Sequence, residues 1–481
     1  MTHTVEKIGG TSMSKTEDVL KNVLIGDREG AALYNRMFVV SAYGGMTNKL
    51  LEHKKTGEPG VFALFAGAES QWAWSDAISS VGAEMQRLNG EIFEDTQSRE
   101  AADAFVRERI EGVRSCLIDL HRLCSYGHFR LDEHLLTVRE MLSALGEAHS
   151  AYNTVLLLQS RGVNARFIDL SGWRDESSPS LDERITRAME TIDLSSELPI
   201  VTGYAHCRDG LMGQFDRGYS EVTFSRLAVL TGAREAIIHK EFHLSSADPR
   251  LVGEGRVRTI GWTNYDVADQ LSNMGMEAIH PSAAKGLRQA GIPLRIKNTF
   301  EPDHDGTVID GDYVSETPRV EIITGLPSVF ALQVFEQDMT GKKGYDAKIL
   351  EVLTRHKVRI VTKTSNANTI VHYLDAPSKR MKRVVRDIEE AYPSAEITTR
   401  KVSIVSAIGS DLGVSGLALT ALKALDAVGV EPLAHQNTPR KVDAMFMLDV
   451  DDYDEAVRAL HGALVEPDGA VIVAPEQKAA A

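Results

Sequence analysis

Near its N-terminus the chain has a lysine, two glycines and two hydroxyl residues whose types and spacing suit phosphate binding. Lys7 lies near the end of a short strand candidate, Thr4 to Ile8, and Gly9, Gly10, Thr11 and Ser12 follow it. Glycines let backbone N–H groups approach phosphate oxygens, a following helix N-terminus favours anions, and a lysine neutralises charge that develops during phosphoryl transfer. A tight strand-to-helix turn beside a surface lysine would give the same pattern, so this motif alone leaves both interpretations open. The sequence has no GxxxxGK[ST] motif, so a P-loop enzyme is not expected.

A second motif about 30 residues later makes the phosphate interpretation specific. Residues 39–48 read Val-Val-Ser-Ala-Tyr-Gly-Gly-Met-Thr-Asn. Together the two motifs resemble the aspartokinase pattern, K-F-G-G-T-S followed by V-V-S-A-x-x-G-x-T-N. The resemblance extends from Val5 to about Leu464. It implies a kinase that uses ATP and Mg²⁺ to phosphorylate the side-chain carboxylate of L-aspartate, the first step of the aspartate pathway.

The same resemblance implies which residues bind the amino acid. Glu147 lies 15 residues before the Gly-Val-Asn-Ala turn at 162–165, where aspartokinases have a glutamate that suits the ammonium group of free aspartate. Arg217, in the loop Asp-Arg-Gly-Tyr-Ser-Glu at 216–221, would hold the α-carboxylate through its guanidinium fork. The other residues implied for this pocket are Ser41, Thr47 and, as a wall, Tyr204.

Residues on the phosphate side are implied in the same way. Lys7 and Glu221 are expected to act in catalysis, with Glu221 at the position of the family aspartate that organises the lysine and the reacting groups. The residues expected to bind ATP are Gly9, Gly10, Thr11, Gly218, Ser220, His239, Lys240, Ser245, Asp248 and Arg250.

Three departures from the aspartokinase pattern concern the nucleotide side. Tyr219 replaces a glycine, Glu277 replaces a lysine that contacts phosphate, and His239-Lys240 stands where the nucleotide strand of the family ends in Thr-Asp. Lys240 is the nearest cation in sequence that could compensate, although a solvated lysine is an alternative. No metal site is expected on His239 and His243, because that segment follows a strand and precedes a turn. These departures resemble the aspartokinases associated with ectoine synthesis.

Local patterns predict the elements that must position these residues. The run at 36–43 is short and apolar, as a strand buried on both faces is, and further strand candidates lie at 4–8, 165–170, 198–204, 236–239 and 294–298. Ser14-x-x-Glu17 predicts a capping box at a helix start. The charged, periodic stretch at about 51–145 predicts a helical insertion. We therefore expect an α/β sandwich domain of the amino-acid-kinase type over residues 1–315.

The last part of the chain contains two similar units. Each is expected to be a ferredoxin-like βαββαβ module, with the first at 320–400 and the second at 401–475. They resemble the paired ACT domains of aspartokinases, which implies a homodimer through these modules.

Composition limits the partners. A formal net charge of −15 makes nucleic acid and anionic membranes unsuitable partners. The three cysteines form no CxxC pair, and the N-terminus has no secretory pattern. We expect a cytoplasmic enzyme.

Two alternatives remain from the sequence. One is a kinase of another amino acid with the same fold, against which the ACT-like modules and the pairing of Glu147 with Arg217 argue. The other is a catalytically inactive amino-acid sensor, suggested by the departures at Tyr219, Lys240 and Glu277.

Overall fold

The computed structural model describes residues 3–54, 56–67, 70–215, 218–276, 279–341 and 343–466, with the backbone alone at 214 and 215. The strands are β1 Thr4–Ile8, β2 Arg36–Val40, β3 Ala165–Ile168, β4 Leu198–Thr202, β5 Glu235–Lys240, β6 Trp262–Thr263, β7 Leu294–Asn298, β8 Thr307–Ile309, β9 Ile322–Phe335, β10 Arg359–Ser365, β11 Thr369–Asp375, β12 Glu396–Ile408, β13 Ala434–Asn437 and β14 Asp443–Leu448. The α-helices are α1 Gly10–Met13, α2 Thr16–Val19, α3 Met46–Leu50, α4 Val61–Ala66, α5 Gln71–Ile92, α6 Thr96–Ser125, α7 Leu135–Ser160, α8 Leu181–Met189, α9 Leu211–Phe215, α10 Tyr219–Thr231, α11 Pro249–Val252, α12 Tyr265–Asn273, α13 Pro281–Ala290, α14 Tyr345–Arg355, α15 Ser378–Ala391, α16 Leu417–Asp426 and α17 Tyr453–Leu464.

The described residues form two compact units. The first contains those of 3–243 and 279–311, and the second those of 244–276 and 312–466. The domain boundaries expected from the sequence stay a prediction.

A largely parallel sheet organises the first unit. Its strands lie in the order β3-β4-β2-β1-β5-β7-β8, parallel as far as β7 and antiparallel between β7 and β8. All five residues of β1, all five of β2 and all five of β4 are buried, including the charged residues Glu6, Lys7 and Arg36. The carboxyl ends of β1, β2, β4 and β5 therefore meet at one edge.

Helices fill the stretch that the sequence predicted to be helical. α4, α5, α6 and the first part of α7 lie in it, and α7 continues to Ser160. The later part of α7 packs Ala151, Val155 and Leu158 into one core cluster with Phe38 of the sheet. Each such fully buried aliphatic or aromatic side chain contributes roughly 1.5–3 kcal/mol. α7 is thus fixed along the sheet.

The capping box predicted at Ser14 is wrong. α2 begins after Lys15 and has no side-chain cap. The Ser14 hydroxyl instead accepts the amide N–H of Gly44 at 2.8 Å and donates to the carbonyl of Gly10 at 3.3 Å. The Ser14 hydroxyl oxygen is therefore occupied by the glycine turn after β2 and does not cap a helix.

The second unit contains one antiparallel sheet that spans both C-terminal modules. Its strands lie in the order β10-β11-β9-β12-β14-β13. The long strand β9 pairs with β12 twice: residues 330–335 pair with 396–401, and residues 322–326 pair with 404–408. The two modules therefore share these two strands.

Helices cover the sheet of the second unit in two groups. α14 and α15 bury Ile349, Val352 and Ile388 in one cluster with β9 and β11, and α16 and α17 bury their apolar stripes in another with β12 and β14. This βαββαβ arrangement and the parallel sheet of the first unit confirm the fold class. Among the described residues, no helix is long and apolar enough to cross a membrane.

The pairing of β9 with β12 depends on a glycine. A Cβ atom added at Gly325 would lie 1.9 Å from the carbonyl oxygen of Ile404, beside the register shift between Val402 and Ile404. Gly325→Ala should therefore lower the unfolding free energy of the second unit by about 1–3 kcal/mol. Thermal unfolding measures the change. Gly255→Ala, where an added Cβ meets nothing within 4 Å, is the control, and equal midpoints for the two variants would contradict the prediction.

Candidate active site

The site residues converge at the carboxyl edge of the parallel sheet. The amide of Gly9 donates to the carbonyl of His239 at 3.2 Å, and the amide of Ser41 donates to the carbonyl of Ile8 at 3.2 Å. Gly203 extends β4 in the same way. Ligands of open α/β sheets bind at this kind of edge, where strand order reverses about a central strand. Three turns that are far apart in sequence therefore face one space.

Lys7 and Glu221 form a buried ion pair in this space. The Lys7 Nζ lies 3.1 Å from the Glu221 Oε1, and Lys7 is only 7% exposed. The other oxygen of Glu221 accepts the backbone N–H of His280. Burial alone would raise the pKa of Glu221, but the charges of Lys7 and Lys240 and the His280 amide hold it below its usual value. Glu221 therefore stays ionised and orients the lysine.

Glu147 is a second buried carboxyl group, without an equivalent partner. It is 3% exposed, and its Oε2 has no hydrogen-bond partner among the residues that the structure describes. Burial raises its pKa to about 8, against the opposing effects of the Lys7 charge and of the N–H donated by Tyr204. A Cβ atom added at Gly203 would lie 2.9 Å from this Oε2, so the glycine leaves room beside it. The group suits a cationic ligand that enters the site.

Close packing brings the second motif against α7. A Cβ atom added at Gly146 would lie 2.8 Å from the Cβ of Ala42 and 3.3 Å from Met46, so a glycine in mid-helix permits this approach. The hydroxyl of Ser150 donates to the carbonyl of Ser41 at 2.8 Å. This packing places α3, which contains Thr47, beside α7, which contains Glu147.

The loop before α10 contributes small groups. The Ser220 and Ser41 hydroxyl oxygens lie 3.4 Å apart. Gly218 has a φ of +94°, and an added Cβ there would lie 2.8 Å from the His280 ring. Arg217, expected to hold the α-carboxylate, lies outside the described residues, as does Glu277. Of the turn residues, Thr11 is exposed to solvent.

The two residues at the end of β5 differ in orientation. His239 Nε2 lies 2.8 Å from Glu6 Oε2, and Glu6 also accepts from Arg36 at 2.8 Å. Burial would raise the pKa of Glu6, but Arg36 and His239 hold it far below its usual range. Because side chains alternate along a strand, Glu6 and Lys7 point to opposite faces of the sheet. His239 therefore lies with Glu6, whereas Lys240 acts on Glu221.

Three expected nucleotide residues belong to the second unit. The Ser245 hydroxyl donates to the carbonyl of Ala247 at 2.8 Å. Asp248 caps α11 and accepts from the amide of Arg250 at 2.9 Å. The Arg250 guanidinium also pairs with this carboxylate, while its side chain is 88% exposed.

Glu241 is a site residue that the sequence interpretation missed. Its Oε1 accepts the backbone N–H of Ser12 at 2.9 Å and the Ser12 hydroxyl at 3.1 Å. Thr299 donates to that hydroxyl at 3.1 Å. A carboxylate therefore caps the helical turn after the glycines. The only signal in the sequence was an acidic residue directly after β5.

The described residues contain no group of three or more His, Cys, Asp or Glu side chains that could hold a metal ion. Mg²⁺ commonly binds through one or two carboxylates together with substrate phosphates.

The unpaired Glu147 should make stability depend on pH. Its pKa is about 8 in the folded chain and ordinarily 4.5. The free-energy cost of ionising this buried group is therefore absent below about pH 4.5, and it grows until pH passes the folded pKa of about 8. Glu147→Gln should unfold at a higher temperature than the wild type, by a margin that widens from pH 5 to pH 8 and then stays constant. Thermal unfolding across this range tests it, with the exposed Glu29→Gln as control, and a margin independent of pH would disprove it.

Known proteins match this arrangement. The Amino acid kinase family model matches residues 3–298. Aspartate kinase Ask_Ect of Stutzerimonas stutzeri is 56% identical over 474 residues, which cover 98% of this chain and 100% of that protein. An aspartokinase of Saccharomyces cerevisiae is 25% identical over 368 residues, covering 68% of this chain and 69% of that protein.

A solved structure shares the fold. Escherichia coli aspartokinase III in complex with lysine and aspartate aligns with a TM-score of 0.71 at 17% identity, covering 96% of this chain and 100% of that chain. The matches confirm the resemblance carried by the two N-terminal motifs. With a family model over more than half of its length and a relative of 56% identity over nearly all of it, the chain belongs to the amino acid kinase family and, within that family, to the aspartate kinases.

Proposed function

We propose that this aspartate kinase grips free L-aspartate between Glu147 and Arg217 and transfers the γ-phosphoryl group of ATP to the side-chain carboxylate. The observation that carries the proposal is the buried Glu147, whose Oε2 has no partner among the described residues. Its pKa of about 8 falls when an ammonium group binds, so substrate binding releases a proton. The bound ammonium group then supplies the positive counter-charge that the surroundings of Glu147 lack.

Lys7 supplies the charge that the transferred group needs. One carboxylate oxygen of aspartate attacks the γ-phosphorus, the bond from that phosphorus to the bridging oxygen of ADP breaks, and 4-phospho-L-aspartate forms. A carboxylate is already a nucleophile at neutral pH, so no general base is required. Glu221 holds Lys7 at 3.1 Å, and positioning with charge neutralisation provides most of the rate enhancement in such transfers. Mg²⁺ bound to ATP would neutralise charge on the β- and γ-phosphates.

Lys240 is our candidate for the cation that compensates for Glu277. Its charge acts on Glu221, which supports a position on the phosphate side of the site. His239 has a different environment, beside Glu6. We therefore assign the nucleotide contact to Lys240 and a supporting role in the sheet to His239.

The relatives of the chain and the sheet of its second unit support proposals about its pathway, its location and its oligomeric state. The match to Ask_Ect, with the resemblance to ectoine-associated aspartokinases, supports a supply of 4-phospho-L-aspartate for ectoine synthesis in the cytoplasm. The described sheet of the second unit ends at β10 and β13. Outer strands can pair with another copy, which supports a homodimer through the ACT-like modules.

Removing the Lys7 charge should affect turnover above all. The charge matters more in the transition state than in the ground state, so Lys7→Ala should lower kcat by at least about a hundredfold. Steady-state assays measure it, with the exposed Lys21→Ala as control. If Lys7→Ala kept a tenth of the wild-type turnover, another group would have to carry the phosphoryl charge.

The substrate assignment is tested by trapping the acyl phosphate with hydroxylamine. Wild-type protein with Mg-ATP should yield hydroxamate from aspartate, and not from glutamate or N-acetylglutamate. Glu147→Gln and Arg217→Ala should each raise the KM for aspartate at least about tenfold and leave the KM for ATP within about twofold. Arg226→Ala, which removes the ion pair between Arg226 on α10 and Asp182 on α8, is the matched control. No hydroxamate with any amino acid would support the inactive sensor instead.

A further inference from the structure

A buried carboxylate two helical turns before Glu147 has no role in the function described above. Glu140 lies on α7 and accepts the amide N–H of Met212 at 2.7 Å through Oε1. Its Oε2 accepts the hydroxyl of Tyr204, a residue only 1% exposed. A Cβ atom added at Gly210 would lie 2.9 Å from Oε1, so the glycine allows this approach. One side chain thus fastens both ends of the segment 204–212 to α7.

Tyr204 also contacts the residues around the aspartate site. Its backbone N–H donates to the carboxyl group of Glu147, and its carbonyl accepts the Thr202 hydroxyl at 2.9 Å. Its ring meets the edge of the Tyr219 ring, with centroids 5.7 Å apart. Tyr219 opens α10, the helix that bears Glu221. Tyr204 is therefore in contact with both sides of the site.

The spacing along α7 makes Glu140 a fixed reference point. Residues seven apart lie almost on the same face of an α-helix, so Glu140 and Glu147 are carried rigidly by one element. The segment that Glu140 holds ends at Met212, five residues before Arg217 in the sequence. A shift of this segment would move the Tyr204 amide away from Glu147.

We propose that Glu140 and Tyr204 form a positioning pair that holds the Tyr204 amide against Glu147, which binds the substrate ammonium group in the proposed function. The inference rests on the proposed function, because it concerns the same site. An apolar contact would hold the segment without burying a carboxylate, whereas two directed hydrogen bonds fix its position along the helix. Burial and the nearby Glu140 charge raise the pKa of the Tyr204 phenol, so it remains a donor at any working pH.

The test compares Tyr204→Phe with Tyr34→Phe, which removes a phenol contact to the Asn164 amide elsewhere in the same unit. Tyr204→Phe should raise the KM for aspartate about tenfold, the usual scale for a lost hydrogen bond to a charged group. The KM for ATP should stay within about twofold, and the thermal midpoint should fall below that of Tyr34→Phe because a buried carboxylate oxygen loses its donor. Glu140→Gln keeps one acceptor oxygen and should have a smaller effect. The double variant should be no worse than Tyr204→Phe, because the two residues act as one unit.

Two outcomes would overturn the pair while leaving the proposed function intact. One is an unchanged KM for aspartate in Tyr204→Phe. The other is a parallel rise in both KM values, which indicates a general structural role. If the wild-type chain forms no hydroxamate from aspartate, the proposed function fails and the positioning role fails with it. Wild-type turnover therefore separates the two failures.

Discussion

The balance of charge around one buried lysine governs the whole site. Lys7 is nearly enclosed, so it needs an anion close by, and Glu221 provides it. Glu147 lies within reach of the same charge but is not paired with it, and burial leaves it with a raised pKa. The two carboxyl groups near this one cation therefore differ. Glu221 is its ionised partner, whereas Glu147 has no such partner and can accept a positively charged ligand. The proposed binding of aspartate rests on this asymmetry.

The parallel sheet is what makes that arrangement possible. Lys7, Ser41, Gly203 and Lys240 come from four strands whose carboxyl ends share one edge. Helices α7 and α10 then bring Glu147 and Glu221 in from different parts of the chain. Glycine at Gly146, Gly203 and Gly218 removes the side chains that would keep these elements apart. Rigid elements, rather than long loops, position the charged groups.

Much of this could be predicted from the sequence, because motifs with fixed spacing and buried strands are local signals. Short strand-like runs predicted β1, β2, β4 and β5, and the two N-terminal motifs indicated the family. Contacts between distant segments gave no such signal. The Ser14 hydroxyl binds Gly44 instead of a helix start, Glu241 caps the turn at Ser12, and His239 faces Glu6. Each depends on which face or edge another element presents, which a single sequence does not encode locally.

The two strands shared by the C-terminal modules have a consequence for how such modules can be recombined. Each module borrows half of β9 and half of β12, so neither is a self-contained cassette. A chimera joined at the boundary between the modules, at residues 400–401, would cut β12 itself and would combine half-strands whose registers were selected with different partners. Exchange between related proteins should therefore succeed only when both modules are transferred together.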